Sequence, residues 1–441
     1  MRRHNTKPYR SNSFIRMLAV MPCLLLLLVL GFAMPASASQ PNLNPYGNYT
    51  SVAAAHGGGF WIQMHAPGHM AEYRTVAIDG APQYDTVNEP GSITAIPGTN
   101  KYWVVTTNGM IFDRGGAPYL CEGRLANCSG FRSANRSIMA AAASPRGDGL
   151  WAVDDQGAVW TAGNTVSYGD AMHDSRYTPT GIAATPSGNG YYIVMNNGGV
   201  HARGDAVFYG STGGNRPGGH DLVGIALSHD ITGAVNGYWL VGSDGGVHTF
   251  GNALSLGSTG GSPGRGAVSN ITGRSDGRSY AWVYADGRVG KSGDAPPFVV
   301  TSVTQGKAIE VPNGSMALLT PLQLATTNGS SSQKWHAVRA DGPSMMVQLV
   351  NANSGLCMDL EGGHSSGRVI QYPCKTETPD FDWANQLWHP VKDESGAIQF
   401  QSLQQPGHRL YGYPDEYGAG LTVSYYTNNS YGFGWTVTPA P

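Results

Sequence analysis

The sequence predicts an all-β chain with two folds in series, a six-bladed β-propeller followed by a β-trefoil. Three observations predict it. Glycine is abundant, 62 of 441 residues, and has no three-residue period. It therefore marks tight turns between short strands and not collagen. A string of small residues, an aromatic strand and a glycine-bearing turn returns six times before residue 300. Beyond that a new period begins, set by three tryptophans.

Bulk composition narrows the functional classes. The formal net charge is -2 and only 13% of residues are charged, which argues against nucleic acid as a partner, because that role needs a basic footprint. A hydrophobic content of 41% argues against disorder. No cofactor is implied.

Residues 1–38 read as a secretory signal peptide. Arg2, Arg3, Lys7, Arg10 and Arg16 make a basic start, Met17 to Phe32 is uncharged and mostly apolar, and Ala36-Ser37-Ala38 is a small-x-small cleavage site. The competing reading, a retained membrane anchor, suffers from the shortness of the apolar run. The mature protein is thus expected to be secreted, with no membrane span. Cleavage leaves Cys121, Cys128, Cys357 and Cys374. An even number in an oxidising compartment suggests two disulfides. Of the three possible pairings the simplest is local, with one bridge in each domain.

Residues 39–300 carry the six-fold string. Its first element is small: Val52-Ala53-Ala54-Ala55, Ile93-Thr94-Ala95-Ile96, Met139-Ala140-Ala141-Ala142, Ile182-Ala183-Ala184, Ile225-Ala226-Leu227 and a weaker Val268-Ser269-Asn270. Its second is aromatic, anchored at Trp61, Trp103, Trp151, Tyr192, Trp239 and Trp282, in steps of 41 to 48 residues. Asn108-Gly109, Asp155-Gln156-Gly157, Asn197-Gly198, Asp244-Gly245 and Asp286-Gly287 follow as hairpin signals, the Asn-Gly and Asp-Gly pairs supplying the positive φ of a two-residue turn. A third strand comes next, then a Gly-Asn-Ala or Gly-Asp-Ala turn, and a fourth run such as Val207 to Gly210. Four short strands at this period predict a propeller blade. The small strand suits a crowded axis, and the aromatic strand fills the space between blades. The string also resembles the Gly-Tyr-Trp-Leu-Val-x-x-Asp-Gly-Gly-Val repeats of secreted bacterial propeller-like proteins, most clearly from Gly237 to Gly251. That resemblance implies a scaffold and no chemistry. Asp244 and Asp286 fall in turns and read as turn residues. His65 and His69 are four apart in a strand or loop, which does not make a zinc pair, so no metal site is expected.

Residues 301–441 change period. Trp335, Trp388 and Trp435 close units that are 53 and 47 residues apart, the pattern of a pseudo-threefold β-trefoil. The middle unit contains Cys357-Met358-Asp359, then Gln371-Tyr372-Pro373-Cys374, then Asn385-Gln386-Leu387-Trp388. These three blocks, in this order, resemble the repeat of ricin B-type β-trefoil lectins. The resemblance implies a shallow carbohydrate site. Asp359 matches the carboxylate that accepts bonds from sugar hydroxyls. Tyr372 matches the ring that stacks on the pyranose. Asn385 matches the amide, and Gln386 a supporting amide. Cys357 and Cys374 would be bridged.

The outer units depart from this pattern. Ala308-Ile309-Glu310 replaces Cys-x-Asp in the first, with Ala325 near the aromatic position. Leu410-Tyr411-Gly412 replaces it in the third, where Phe433 replaces the glutamine and Tyr425 or Tyr426 is left as a ring. Both are expected to be degenerate. The leading expectation is a secreted lectin with a propeller scaffold. The alternative is an extracellular glycoside hydrolase with a ricin-type module, which requires two carboxylates across a cleft; no such pair stands out from the turn aspartates. A third reading makes the propeller a docking platform for a cell-surface protein.

Overall fold

A computed structural model of the chain describes residues 49–440 except 57, 66–72, 121–135, 173, 175, 214–216, 261–266, 275, 286–287, 294–295, 340–345, 365–366, 376–382, 414–419 and 426–431. The expected leader, Cys121, Cys128, His69, Tyr426 and the Asp286-Gly287 turn lie outside these residues. Among the described residues every strand pairing is antiparallel. The helical turns described are three-residue 3-10 turns. No described helix is long and apolar enough to cross a membrane.

The six-fold string builds six three-stranded sheets. The first holds β1 (Tyr49–Ala54), β2 (Phe60–His65) and β3 (Tyr73–Ile78); the second β4 (Gly91–Ala95), β5 (Tyr102–Thr106) and β6 (Ile111–Arg114). The third holds β7 (Ile138–Ala143), β8 (Gly149–Asp154) and β9 (Val159–Gly163); the fourth β10 (Pro179–Ala184), β11 (Gly190–Met195) and β12 (Val200–Gly204). The fifth holds β13 (Leu222–His229), β14 (Val235–Gly242) and β15 (Val247–Gly251); the sixth β16 (Val268–Gly273), β17 (Tyr280–Tyr284) and β18 (Val289–Lys291).

Alternation along the aromatic strand explains how these sheets pack. Successive side chains point to opposite faces, so each middle strand feeds two cores. Trp61 packs with Tyr102 and Val104 of the second sheet. Phe60 and Ile62 pack with Ala281 and Val283 of the sixth. Each of the other four consecutive pairs of sheets encloses its own buried cluster in the same way. The small first strands neighbour one another in chain order, and β16 neighbours β1. Their hydroxyls bridge the gaps: Ser51 Oγ accepts from Ile93 N at 3.1 Å, Ser92 Oγ from Ala141 N at 3.0 Å, and Thr94 Oγ1 from Ala143 N at 2.8 Å.

Two local expectations are corrected. The hairpins do not use two-residue turns with two positive φ values. Gly109, Gly157, Gly198 and Gly245 have φ of 80 to 88°, while Asn108, Asn197 and Asp244 do not have positive φ. The glycine N–H closes a turn onto the residue three before it, as Gly198 N does onto Met195 O at 2.8 Å. The Asx residue contributes its side chain instead: Asp244 Oδ1 accepts from Gly246 N at 2.9 Å. This is the longer hairpin class in which one left-handed residue follows a type I turn.

The second correction concerns the fourth run, which is not a strand of its own sheet. After the third strand the chain turns away, and side chains take its backbone groups. Trp61, Trp103, Trp151 and Trp239 donate their indole N–H to the carbonyls of Pro82, Pro118, Val166 and Leu254 at 2.8–2.9 Å. Tyrosines of the next sheet grip the same segment: Tyr191 donates to Gly169 O at 2.8 Å, Tyr238 to Gly210 O and Tyr280 to Gly257 O. These three glycines share φ of 119 to 126°, a region closed to other residues. The run is therefore a strap from one sheet to the next.

The remaining strands form one twelve-stranded sheet. They are β19 (Phe298–Ser302), β20 (Ala308–Glu310), β21 (Gln323–Ala325), β22 (Lys334–Arg339), β23 (Val347–Asn351), β24 (Cys357–Leu360), β25 (Val369–Tyr372), β26 (Trp388–Lys392), β27 (Ile398–Ser402), β28 (His408–Gly412), β29 (Leu421–Tyr425) and β30 (Trp435–Pro439). β19 pairs with β30, so the two ends of this region close on each other. One core holds the three predicted tryptophans, all fully buried. Each indole makes the same bond: Trp335 to Ile309 O at 3.2 Å, Trp388 to Met358 O at 3.3 Å, Trp435 to Leu410 O at 3.3 Å. This threefold recurrence marks a trefoil-like domain.

Candidate functional site

The middle unit of the trefoil-like domain brings the four singled-out residues together. In the hairpin of β24 and β25, Met358 and Leu360 turn inward to the core, which leaves Cys357 and Asp359 on the other face. Cys357 lies opposite Tyr372, and Asp359 opposite Ile370. The predicted Cys357–Cys374 disulfide is present and ties the start of β24 to the end of β25. A 3-10 turn, Ala384–Gln386, then delivers two amides to the carboxylate. Asn385 Nδ2 donates to Asp359 Oδ1 at 2.8 Å, and Gln386 Nε2 to Oδ2 at 2.9 Å.

Gln386 is fully buried and has every polar position filled. Its amide also donates to Pro373 O at 2.9 Å, and its oxygen accepts from Gln348 at 3.1 Å and from Lys375 N at 2.9 Å. It clamps the aspartate in place. Asp359 is only 3% exposed, and burial raises its pKa above the ordinary 3.8, against the pull of Gln386, Lys375 and Asn385. Each carboxylate oxygen accepts one of these amide bonds and retains a further lone pair.

Asp359, Tyr372 and Asn385 line a cleft of about 690 Å³ together with Leu319, Glu361, Gly362, Gly363, Ile370, Lys375 and Gln404. Sequence reasoning did not single out Leu319, Glu361, Ile370, Lys375 or Gln404. Lys375 sets its ammonium 5.7 Å from the centre of the Tyr372 ring and 3.0 Å from Asn385 Oδ1; its place directly after Cys374 was the available signal. Leu319 and Gln404 come from the neighbouring units, so nothing local to the motif points to them. Arg368 pairs with Glu361 at 2.8 Å and holds that carboxyl below its usual value.

The outer units are now placed by their tryptophan bonds. In the first, Glu310 takes the aspartate's position and keeps its amide: Gln333 Nε2 donates to Glu310 Oε2 at 2.6 Å, and Gln323 to Oε1 at 3.1 Å. Ala325 lies opposite Ala308, where Tyr372 lies opposite Cys357, so no ring is present. The third unit requires a one-residue correction. Trp435 bonds Leu410 O, so Leu410 matches Met358, and Tyr411, not Gly412, takes the aspartate's position. Its ring lies 4.9 Å from that of Phe433, at the glutamine's position; an aromatic pair has replaced the carboxylate–amide pair. Ser424 faces Arg409 at the stacking register. Tyr425 is one residue beyond it, 65% exposed.

Parts of the chain are similar to known proteins. No curated protein matches the chain. Among solved structures, the Rhizoctonia solani agglutinin is 17% identical, with 34% of this chain and 97% of that one covered and a TM-score of 0.28. The Polyporus squamosus lectin is 16% identical, covering 34% and 50%, with a TM-score of 0.27. The designed threefold-symmetric protein ThreeFoil is 21% identical, covering 32% and 97%, with a TM-score of 0.29. Residues 281–373 match the family described as ricin-type beta-trefoil lectin domain-like, and the chain therefore carries a ricin-type lectin-like domain.

Proposed function

We propose that this chain is a secreted carbohydrate-binding protein, that its glycan site is the middle trefoil unit, and that its first six sheets form a closed six-bladed β-propeller acting as scaffold. The observation that carries the function is the clamped carboxylate of Asp359, held by two amides in an open cleft beside Tyr372. Asp359 and Asn385 are the hydrogen-bonding pair for sugar hydroxyls, Tyr372 is the stacking ring, and Gln386 fixes the aspartate. The domain boundary falls near residue 300. The ring reading is supported by the six separate inter-sheet cores and by the adjacency of β16 to β1. It is further supported by a cavity of about 380 Å³ lined by the six first strands. The leader and the Cys357–Cys374 disulfide support an extracellular setting.

Glycan-array binding of the chain without its leader tests this reading, with Asp359→Ala as the control. The expected result is binding to a defined set of glycans that Asp359→Ala removes. An array without signal, or an unchanged pattern in the variant, rejects the site.

A further inference from the structure

Leu319 stands out in the cleft wall. Its φ is 62°, one of three positive-φ residues other than glycine among the described residues. A bulky side chain in that region is strained. The strain has no return in the core, because Leu319 is 52% exposed. The backbone is pinned there from both sides: Leu319 N donates to Gln371 O at 3.0 Å, and Gln371 N donates to Thr320 O at 3.0 Å. A strained leucine is thus fastened next to Tyr372 and lines the same cleft.

The register supplies a second observation. Opposite the clamped carboxylate the first unit has Gln323, which donates to Glu310. The middle unit has Ile370 at that place, and it also lines the cleft. Asp359, Asn385, Lys375, Glu361 and Gln404 give the cleft its polar groups, whereas the half-exposed Leu319 gives it an apolar surface and the buried Ile370 brings no donor or acceptor to the place that Gln323 holds in the first unit. A sugar hydroxyl set there loses its water without gaining a partner, whereas a methyl group gains by burial.

We propose that the cleft selects sugars bearing a methyl-carrying substituent, with Leu319 as the specificity-determining residue. The substituent is the acetamido group of an N-acetylhexosamine or the C6 methyl of a 6-deoxyhexose. The inference rests on the Asp359 cleft being the sugar site. Titration calorimetry on the whole mature chain tests it with matched sugars: N-acetylgalactosamine against galactose, N-acetylglucosamine against glucose, and fucose against galactose of the same hand. In at least one pair the methyl-bearing member binds roughly three- to tenfold tighter, the effect of burying one methyl group. The responding pair identifies the substituent. Leu319→Gly removes the side chain while accepting the positive φ, so folding is retained, and it brings the ratio toward one. Binding that depends on Asp359 but shows no preference, or keeps its preference in Leu319→Gly, overturns this inference alone. Absence of sugar binding, or binding that survives Asp359→Ala, overturns the site and the inference together.

Discussion

Asp359 illustrates the tension between binding and folding at a single residue. A carboxylate preorganised by two amides makes strong, charge-assisted bonds to hydroxyls. Removing it should weaken binding of the best glycan by at least tenfold, and calorimetry on Asp359→Ala reads this directly. Tyr372→Ala should cost less, about 0.5–1.5 kcal/mol, through lost ring contact. The buried carboxyl also has a raised pKa, which gives pH effects of opposite sign. Binding needs the ionised acceptor, so affinity falls as pH drops, from a pH above that of an ordinary aspartate. Stability moves the other way. The folded state holds the proton more tightly than the unfolded chain, so this group's contribution is fully present below 3.8 and is lost as pH rises through the folded value. Parallel pH series of binding and thermal unfolding, with Asp359→Ala as reference, check both signs. Lys375 and Glu361 share the cleft, and the reference variant retains both.

At the scale of the element, straps and clips replace regular pairing. Tyr238 holds the preceding strap through Gly210 O. Burial pushes its pKa up to about 12, so the hydroxyl remains a donor throughout the neutral range. Tyr238→Phe should cost about 1 kcal/mol of stability, the net value of a typical hydrogen bond, measured by denaturant unfolding. Loss of the Cys357–Cys374 bridge, which spans 17 residues, should cost about 3 kcal/mol on the chain-entropy account, read from the unfolding midpoint of Cys374→Ser. The same change loosens the end of β25 next to Tyr372 and should lower sugar affinity as well. These elements also show what was legible beforehand. The small and aromatic strands were, because a period of two with a fixed repeat length reports burial directly. The Cys357–Cys374 disulfide and the four candidate residues that the structure brings together lay within one motif and were read together. The strap was not legible. Val207 to Gly210 has the composition of a strand, and its bonds go to Tyr192 before it and Tyr238 after it, which no local pattern encodes. Leu319 and Gln404 escaped for the same reason, since they reach the cleft from neighbouring units. The third unit was misplaced by one residue because only the Trp435 bond fixes its register.

At the scale of the whole molecule, one hairpin links the repeat region to the lectin-like domain. β13 and β14 are eight residues long, where the corresponding strands of the other sheets have five or six. The extra length carries the hairpin tip to the trefoil-like domain, where Ile231 packs, partly buried, against its core. Beside it Asp230 pairs with Lys392 at 2.5 Å. That pair lowers the Asp230 pKa, with Thr232 assisting, although burial acts against it. Arg278 adds a contact over the Phe298 ring at 5.3 Å. The ion pair is partly exposed and worth at most about 1 kcal/mol, whereas an aspartate in place of the partly buried Ile231 would set a charge against an apolar core. Ile231→Asp should therefore uncouple the two regions more than Lys392→Ala does. The expected outcome by scanning calorimetry is a broadened or split transition for Ile231→Asp, with a loss of about 1–3 kcal/mol, and a near-parental trace for Lys392→Ala. Sugar binding should survive in both variants, because neither residue lines the Asp359 cleft. An unsplit transition at the parental temperature in Ile231→Asp would show that the hairpin tip does not couple the two regions.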